Sequence, residues 1–193
     1  GGFQVNKAGR RFANEARGYS EQAVDVLAQS GHVAFTIYDA RLHKLMQEFD
    51  DYRDAMDAGA IRTAPDLEGL CELTGVSLEG LRDTMAEVAA MVRGERTDTL
   101  GRDFTQKPML EPPYYAVRVT GALFHTQGGL VVDHSGRVKR PDGSLFPNLW
   151  AGGGAARGIS GPSCDGYIAG NGLLTATTFG RLAGESAAAM IAG

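Results

Sequence analysis

A chain of 193 residues has room for one sizeable core or two small lobes. Its 43% hydrophobic and 22% charged residues are those of an ordinary soluble globular protein. A net charge of −4 offers no basic footprint for nucleic acid or an anionic membrane, and no apolar run is long enough to span a bilayer. Cys71 and Cys164 lie far apart and point to a reducing, cytoplasmic setting rather than a disulfide framework. The chain opens on Gly1-Gly2-Phe3 without methionine, as expected of a piece of a longer protein.

Phe3-Gln4-Val5 reads as a short strand, followed by a turn at Asn6 to Gly9 and a return through Arg11-Phe12. Residues 20–30 suit a helix with Ser20 as its cap, and the β-branched and aromatic run His32 to Tyr38 predicts a buried strand. Asp39 then caps a helix carrying Leu42, Leu45, Met46 and Phe49. Asp66 and Ser77 each precede an amphipathic run, Leu67 to Thr74 and Leu78 to Arg93, the second with Leu81, Met85, Val88, Ala89 and Val92 along one face. Residues 94–111 are polar and irregular. After Pro112-Pro113, strands are expected at Tyr114 to Val119, Gly129 to Val132 and Leu149 to Ala151, with a tight turn at Asp142-Gly143. A helix full of Ala, Gly and Thr closes the chain from about Asn171 to Met190. The texture changes near residues 122–127, from a mainly helical lobe to a β-rich piece with one helix.

Eight of the 27 glycines fall between Ala151 and Gly172. Such density costs conformational entropy, and a folded chain tolerates it where backbone must approach something closely. Ile159, Tyr167 and Ile168 interrupt the run, which is unlike a Gly/Ser tether. Gly152-Gly153-Gly154 follows a strand but is no dinucleotide fingerprint, because Arg157 stands where a third glycine belongs and a Gly/Pro loop follows instead of a helix. His32, His43, His125 and His134 have no metal-ligand spacing, and no metal site is expected.

Several stretches, in order, carry a family likeness. Val5-Asn6-Lys7-Ala8-Gly9-Arg10-Arg11-Phe12-Ala13-Asn14-Glu15 resembles the VNxxGxRFxNE stretch of fumarate reductase and succinate dehydrogenase flavoproteins, and His125-Thr126-Gln127-Gly128-Gly129-Leu130 resembles their HTxGGL segment. Leu149 to Gly153, Ala169-Gly170-Asn171-Gly172-Leu173 and Phe179-Gly180-Arg181-Leu182-Ala183-Gly184 are similar to their last flavin-contacting stretch and closing helix. The resemblance implies an α+β chain in which residues 1–124 form a helical, mixed capping domain. Residues 125–193 would be the returning strands and helix of a Rossmann-like FAD-binding domain whose N-terminal part is absent. It also implies FAD as cofactor, held by Gly128, Gly152, Gly153, Gly170, Asn171, Gly172 and Leu173. Read from its residues, the last helix suits that task, since a helix N-terminus offers unpaired N–H groups and a positive dipole end to a flavin edge. His125 takes, by resemblance, the role of a substrate-carboxylate ligand; a structural histidine is the other reading.

Departures from the pattern bear on the substrate. Where fumarate reductases keep a proton-donating arginine after the Asn-Glu pair, this chain has Tyr19, with Arg17 nearby, and their carboxylate-clamping arginine is replaced by Tyr167. Two tyrosines at these places resemble the 3-ketosteroid dehydrogenase branch, in which one tyrosine abstracts a proton and another hydrogen-bonds the carbonyl oxygen. A tyrosine with an unperturbed pKa near ~10 needs neighbouring charge to act as a base, and Arg17 is the candidate. The expected catalytic set is therefore Tyr19, Tyr167, His125 and Arg17. The expected activity is reduction or formation of a C=C bond beside a ketone, enone or monocarboxylate, with a small-molecule substrate and an electron donor or acceptor as partners. A dicarboxylate enzyme using Arg17 and Arg157 instead, or a non-catalytic binding or assembly module, are the alternatives.

Overall fold

The computed structural model describes all residues except 106, 124–126, 162, 166 and 193. It divides the chain into two compact units, Gly1–Gly121 and Ala122–Gly193.

The first unit is built on a four-stranded antiparallel sheet in the order β1 (Phe3–Val5), β2 (Ala34–Asp39), β4 (Tyr114–Val119), β3 (Ile61–Ala64). Register pairs Val5 with Phe35, Ile37 with Ala116 and Thr63 with Tyr115. Alternation therefore sends Phe3, Val5, Phe35, Ile37 and Ala116 to one face. There they meet Leu70 and Cys71 of α4 (Leu67–Thr74) and Leu81, Val88 and Met91 of α5 (Leu78–Val92) in one buried core. The Asp66 and Ser77 side chains cap these two helices, accepting from the backbone N–H of Gly69 and Gly80.

Three further helices complete the unit: α1 (Tyr19–Leu27), α2 (Ala40–Met46) and α3 (Asp50–Asp57). Asp39 caps α2 through the Leu42 N–H, as its sequence position implies, but the helix stops at Met46 and Phe49 becomes the N-cap of α3. The Arg53 guanidinium donates to the Gln47 carbonyl at 2.7 Å, and the negative charges of Asp50 and Asp51 favour a fresh helix N-terminus there. Ser20 is not the cap of α1; Gly18 is, and Ser20 lies inside the first turn. Residues Ser30–His32 form a 3-10 turn with Gly31 and His32 at positive φ, so β2 starts at Ala34. Strand β3, missed by the sequence reading, is an edge strand with two exposed central residues.

The turn after β1 sits directly on α5. A Cβ at Gly80 would collide with the Ala8 carbonyl oxygen, Gly9 has φ +73°, and Thr84 donates to the Gly9 carbonyl at 2.7 Å.

The second unit holds the antiparallel pair β5 (Arg137–Lys139) and β6 (Leu145–Trp150) and the long helix α6 (Asn171–Ala192). Asp142 and Gly143 make the expected turn, with Gly143 at φ +86°. Gly129 to Val132 is not a strand: Leu130 makes a single parallel bridge to Ala156 and Val132 a single antiparallel one to Val138. Among the described residues, that one bridge is the only parallel pairing. The unit's buried core is small, consisting of Val138, Ala151 and Ala156 with Val132 and Phe146 against them. Among the described residues, no helix is long and apolar enough to cross a membrane. Cys71 and Cys164 are free thiols.

Candidate functional site

A cleft of about 770 Å³ opens in the second unit, lined by Gln127, Gly128, Val131, Val132, Arg157 and Phe179 among others. This is the size range of small-molecule sites, which combine apolar walls with a few placed polar groups. Its geometry comes from two loops laid side by side. Leu130 N–H donates to the Ala155 carbonyl and Arg157 N–H to the Leu130 carbonyl, both at 2.9 Å. A Cβ at Gly129 would collide with the Ala156 backbone, so the second glycine of the pair is needed for the loops to meet. Gly128 is different: an added Cβ there would meet nothing within 4 Å. Its bare backbone faces open space.

The glycines assigned by sequence to the cofactor divide in the same way. Gly152 and Gly153 lie against α6, where added side chains would meet Phe179 and Gly180, or Ala176. Close helix packing accounts for them. Gly170 and Gly172, at the start of α6, have open space where a Cβ would be. Asn171 between them is buried, and its amide donates to the Ser160 hydroxyl, fastening the glycine-rich loop to the helix start. The side chain thus serves the loop, and what the helix start offers a ligand is backbone. Around it Ile159, Ile168, Leu173 and Leu174 are 63%, 69%, 78% and 62% exposed, a concentration of bare aliphatic surface.

Tyr167 lies half-buried in this loop, four residues before Asn171. His125 lies outside the described residues. Tyr19 belongs to the first unit, where it is the first residue of α1 and 63% exposed. Arg17 reaches Asp25 on the next turns of α1 at 3.4 Å, so its charge has a carboxylate partner that the sequence reading overlooked. Gln127, Phe179 and Ser160 are further residues it did not single out. The first two sit inside recognised motifs, but only folding shows that they share a cleft.

The Arg11-Phe12-Ala13-Asn14-Glu15 stretch turns out to be a structural knot. Arg11 binds Glu15 through two hydrogen bonds of 2.9 and 2.8 Å and Asp98 at 3.0 Å, while Arg102 reaches Glu15 at 3.0 Å. Both guanidinium groups lie over the buried Phe104 ring, at 4.7 and 4.3 Å from its centroid. Two positive and two negative charges are sequestered together, with Gln4 N–H adding a fourth donor to Glu15. Burial alone would raise the Glu15 and Asp98 carboxyls. Hydrogen bonds from Arg11 and from backbone N–H groups outweigh it and hold both below the ordinary carboxylate range.

The cleft combines glycine backbone with apolar side chains, and the start of α6 offers approachable backbone and aliphatic surface. The sequence profile of the FAD binding domain family matches residues 1–173, and the chain belongs to that family. A cytochrome-type fumarate reductase of Shewanella frigidimarina is 31% identical over 188 residues, covering 97% of this chain and 32% of that protein. The open conformation of a flavocytochrome c3 fumarate reductase superposes with a TM-score of 0.73 at 26% identity, covering 98% of this chain and 33% of the other. A 3-ketosteroid delta1-dehydrogenase from Sterolibacterium denitrificans, in complex with 1,4-androstadiene-3,17-dione, gives 0.72 at 28% identity, covering 98% and 39%. The chain spans about a third of the length of these relatives.

FAD is the cofactor of this family, and the residues present fit it. Gly128, Gly170 and Gly172 leave backbone approachable, and the aliphatic residues around α6 suit an aromatic ring. The first-turn N–H groups of α6 suit a ring edge that gains negative charge.

Proposed function

We propose that these residues are part of an FAD-dependent oxidoreductase that reduces or forms a C=C bond beside the carbonyl of a ketone, enone or monocarboxylate. In this reading residues 1–124 cap the substrate and residues 125–193 complete the cofactor site within a longer chain, so residues 1–193 alone retain little FAD. When bound, FAD supplies the hydride exchange with the substrate carbon. Tyr19 moves the proton at the neighbouring carbon, Tyr167 donates to the carbonyl oxygen, and His125 orients the substrate. Backbone at Gly128 and at Gly170 to Leu173 holds the ring. The Shewanella relative is named for a cytochrome, and an electron carrier is the expected second partner here too.

The observation that carries this reading is the pair of tyrosines standing where dicarboxylate enzymes of similar sequence keep arginine. A phenol cannot neutralise a carboxylate, whereas it can donate to a neutral carbonyl or, once activated, take a proton. Arg17 is a poor substitute clamp because Asp25 already balances its charge. One observation favours the dicarboxylate alternative: Arg157 lines the cleft beside Gly128 and would suit an anionic group.

Turnover by the full-length enzyme separates the two. The panel is cyclohex-2-en-1-one, a 3-ketosteroid, acrylate and fumarate, with wild type beside Tyr19→Phe, Tyr167→Phe and Arg157→Gln. Enone or ketone turnover that falls on the order of 10²–10⁴-fold in either tyrosine variant is the expected result. Rapid fumarate turnover that survives both Phe substitutions and fails in Arg157→Gln would overturn it. A flavin-free protein inactive on the whole panel would support a binding module.

A further inference from the structure

Helix α1 carries Tyr19 on its first residue, yet little apolar surface holds it down. Val26 is its only buried residue, Tyr19, Val24 and Leu27 are exposed, and Gly18 supplies no side-chain cap. Its anchors are amides. Gln22 Nε2 donates to Gln4 Oε1 at 2.7 Å, and Gln4 Nε2 donates in turn to Thr36 Oγ1 of β2 at 3.2 Å. Beyond the other end of the helix, Asn6 Nδ2 donates to Gln29 Oε1 at 3.1 Å, and Gln29 Nε2 returns to the Asp25 carbonyl at 3.0 Å. Gln4 lies in β1 and Asn6 just after it, while Gln22 lies in the first turn of α1 and Gln29 just beyond its last. Strand and helix are thereby laced together at two points. Gln4 also ties the lacing to the charged knot, because its backbone N–H donates to Glu15.

We propose that Gln22 is a positioning residue for Tyr19, a proposal that rests on the catalytic reading of Tyr19 above. Gln22 is one turn beyond Tyr19 on the same side of the helix. Of the two amide ties to β1 and the residue after it, it is the nearer to Tyr19, and its Oε1 is fully buried without a hydrogen-bond partner among the described residues. That orphaned acceptor is a cost the fold bears for the single bond to Gln4. The bond fixes the first turn against β1, and through the Gln4–Thr36 bond against β2. With it gone, the first turn of α1 loses this tie to the sheet, and Tyr19 shifts from its place while the rest of the unit keeps its core.

Gln22→Met keeps length and removes the donor. In the full-length enzyme with cyclohex-2-en-1-one, kcat should fall on the order of 10- to 100-fold with KM within about twofold, the signature of a misplaced group rather than lost binding. Combined with Tyr19→Phe, it should add less than about threefold to the loss caused by Tyr19→Phe alone, because both act through one hydroxyl. Amide hydrogen exchange should quicken across residues 20–24 and stay unchanged in α5. Wild-type kcat in Gln22→Met, or losses that multiply in full in the double variant, would overturn the proposal; so would unchanged exchange in α1. Wild-type turnover by Tyr19→Phe would instead defeat the catalytic reading of Tyr19. Exchange would then still show whether the amide lacing holds the helix.

Discussion

The two units differ in where their apolar residues go. The first gathers fourteen buried residues from every strand of its sheet except the edges' exposed sides, from α4 and α5, and from the loop that follows. Among the described residues the second gathers three. Helix α5, with 15 residues, buries Gly80, Leu81, Thr84, Val88 and Met91, whereas α6, with 22, buries Asn171 and leaves Leu173, Leu174, Met190 and Ile191 exposed. Within these residues the first unit holds its shape by side-chain burial, while the second leaves much of its backbone and aliphatic surface uncovered. Glycine does two kinds of work: at Gly80 and Gly129 it lets two backbones touch, and at Gly128 and Gly172 it leaves a space open.

The contrast can be broken most decisively at the charged knot. Glu15→Gln leaves Arg11 and Arg102 with an unbalanced charge in a buried setting, and removing one partner of such a group costs about 3–5 kcal/mol. Urea unfolding of the full-length protein should show that loss in the transition that reports the first unit. The wild-type knot should also make this unit acid-sensitive. The Glu15 and Asp98 carboxyls are lowered in the folded state, so their contribution is complete above the ordinary carboxylate range. It drains away as pH falls through the lowered folded values. A stability that is flat with pH through and below that range would show that the knot is not a linked group.

A smaller effect is expected from core truncation, and it should be unequal. Leu81→Ala, at a fully buried site, should cost about 2–5 kcal/mol. Val138→Ala should cost less because it removes one carbon fewer, from a core that is smaller among the described residues. Equal losses in denaturant titrations would mean that the second unit is packed as firmly as the first.

The smallest effect on stability, and the largest on binding, is expected at Gly172→Val. No atom lies within 4 Å of the added Cβ, so unfolding should shift by no more than about 0.5 kcal/mol. The same side chain would fill space left for the cofactor, and flavin absorbance after desalting should fall in the full-length enzyme. Full flavin content would show that this end of α6 faces elsewhere.

Local chemistry made much of the fold legible in advance. Asp39, Asp66 and Ser77 announced their helices because a capping side chain acts within three residues of itself, and β4 was readable from its run of aromatic and β-branched residues. The order of motifs along the chain carried the family and its cofactor. Where the reading failed, a distant or competing partner decided. Arg53 took the Gln47 carbonyl and split one expected helix into α2 and α3. Residues 129–132 lacked the partners to become a strand and formed two single bridges instead.

The sequence by itself set which chemistry the side chains can offer, because a phenol and a guanidinium differ in charge wherever the chain runs. Only tertiary structure decided which residues serve the fold instead. Glu15 and Arg11 lock to Asp98 and Arg102 across more than eighty residues, Arg17 finds Asp25, and Gly152 and Gly153 lie beneath α6. Pairing and close approach depend on distances through space, and the spacing of residues along a chain does not contain them.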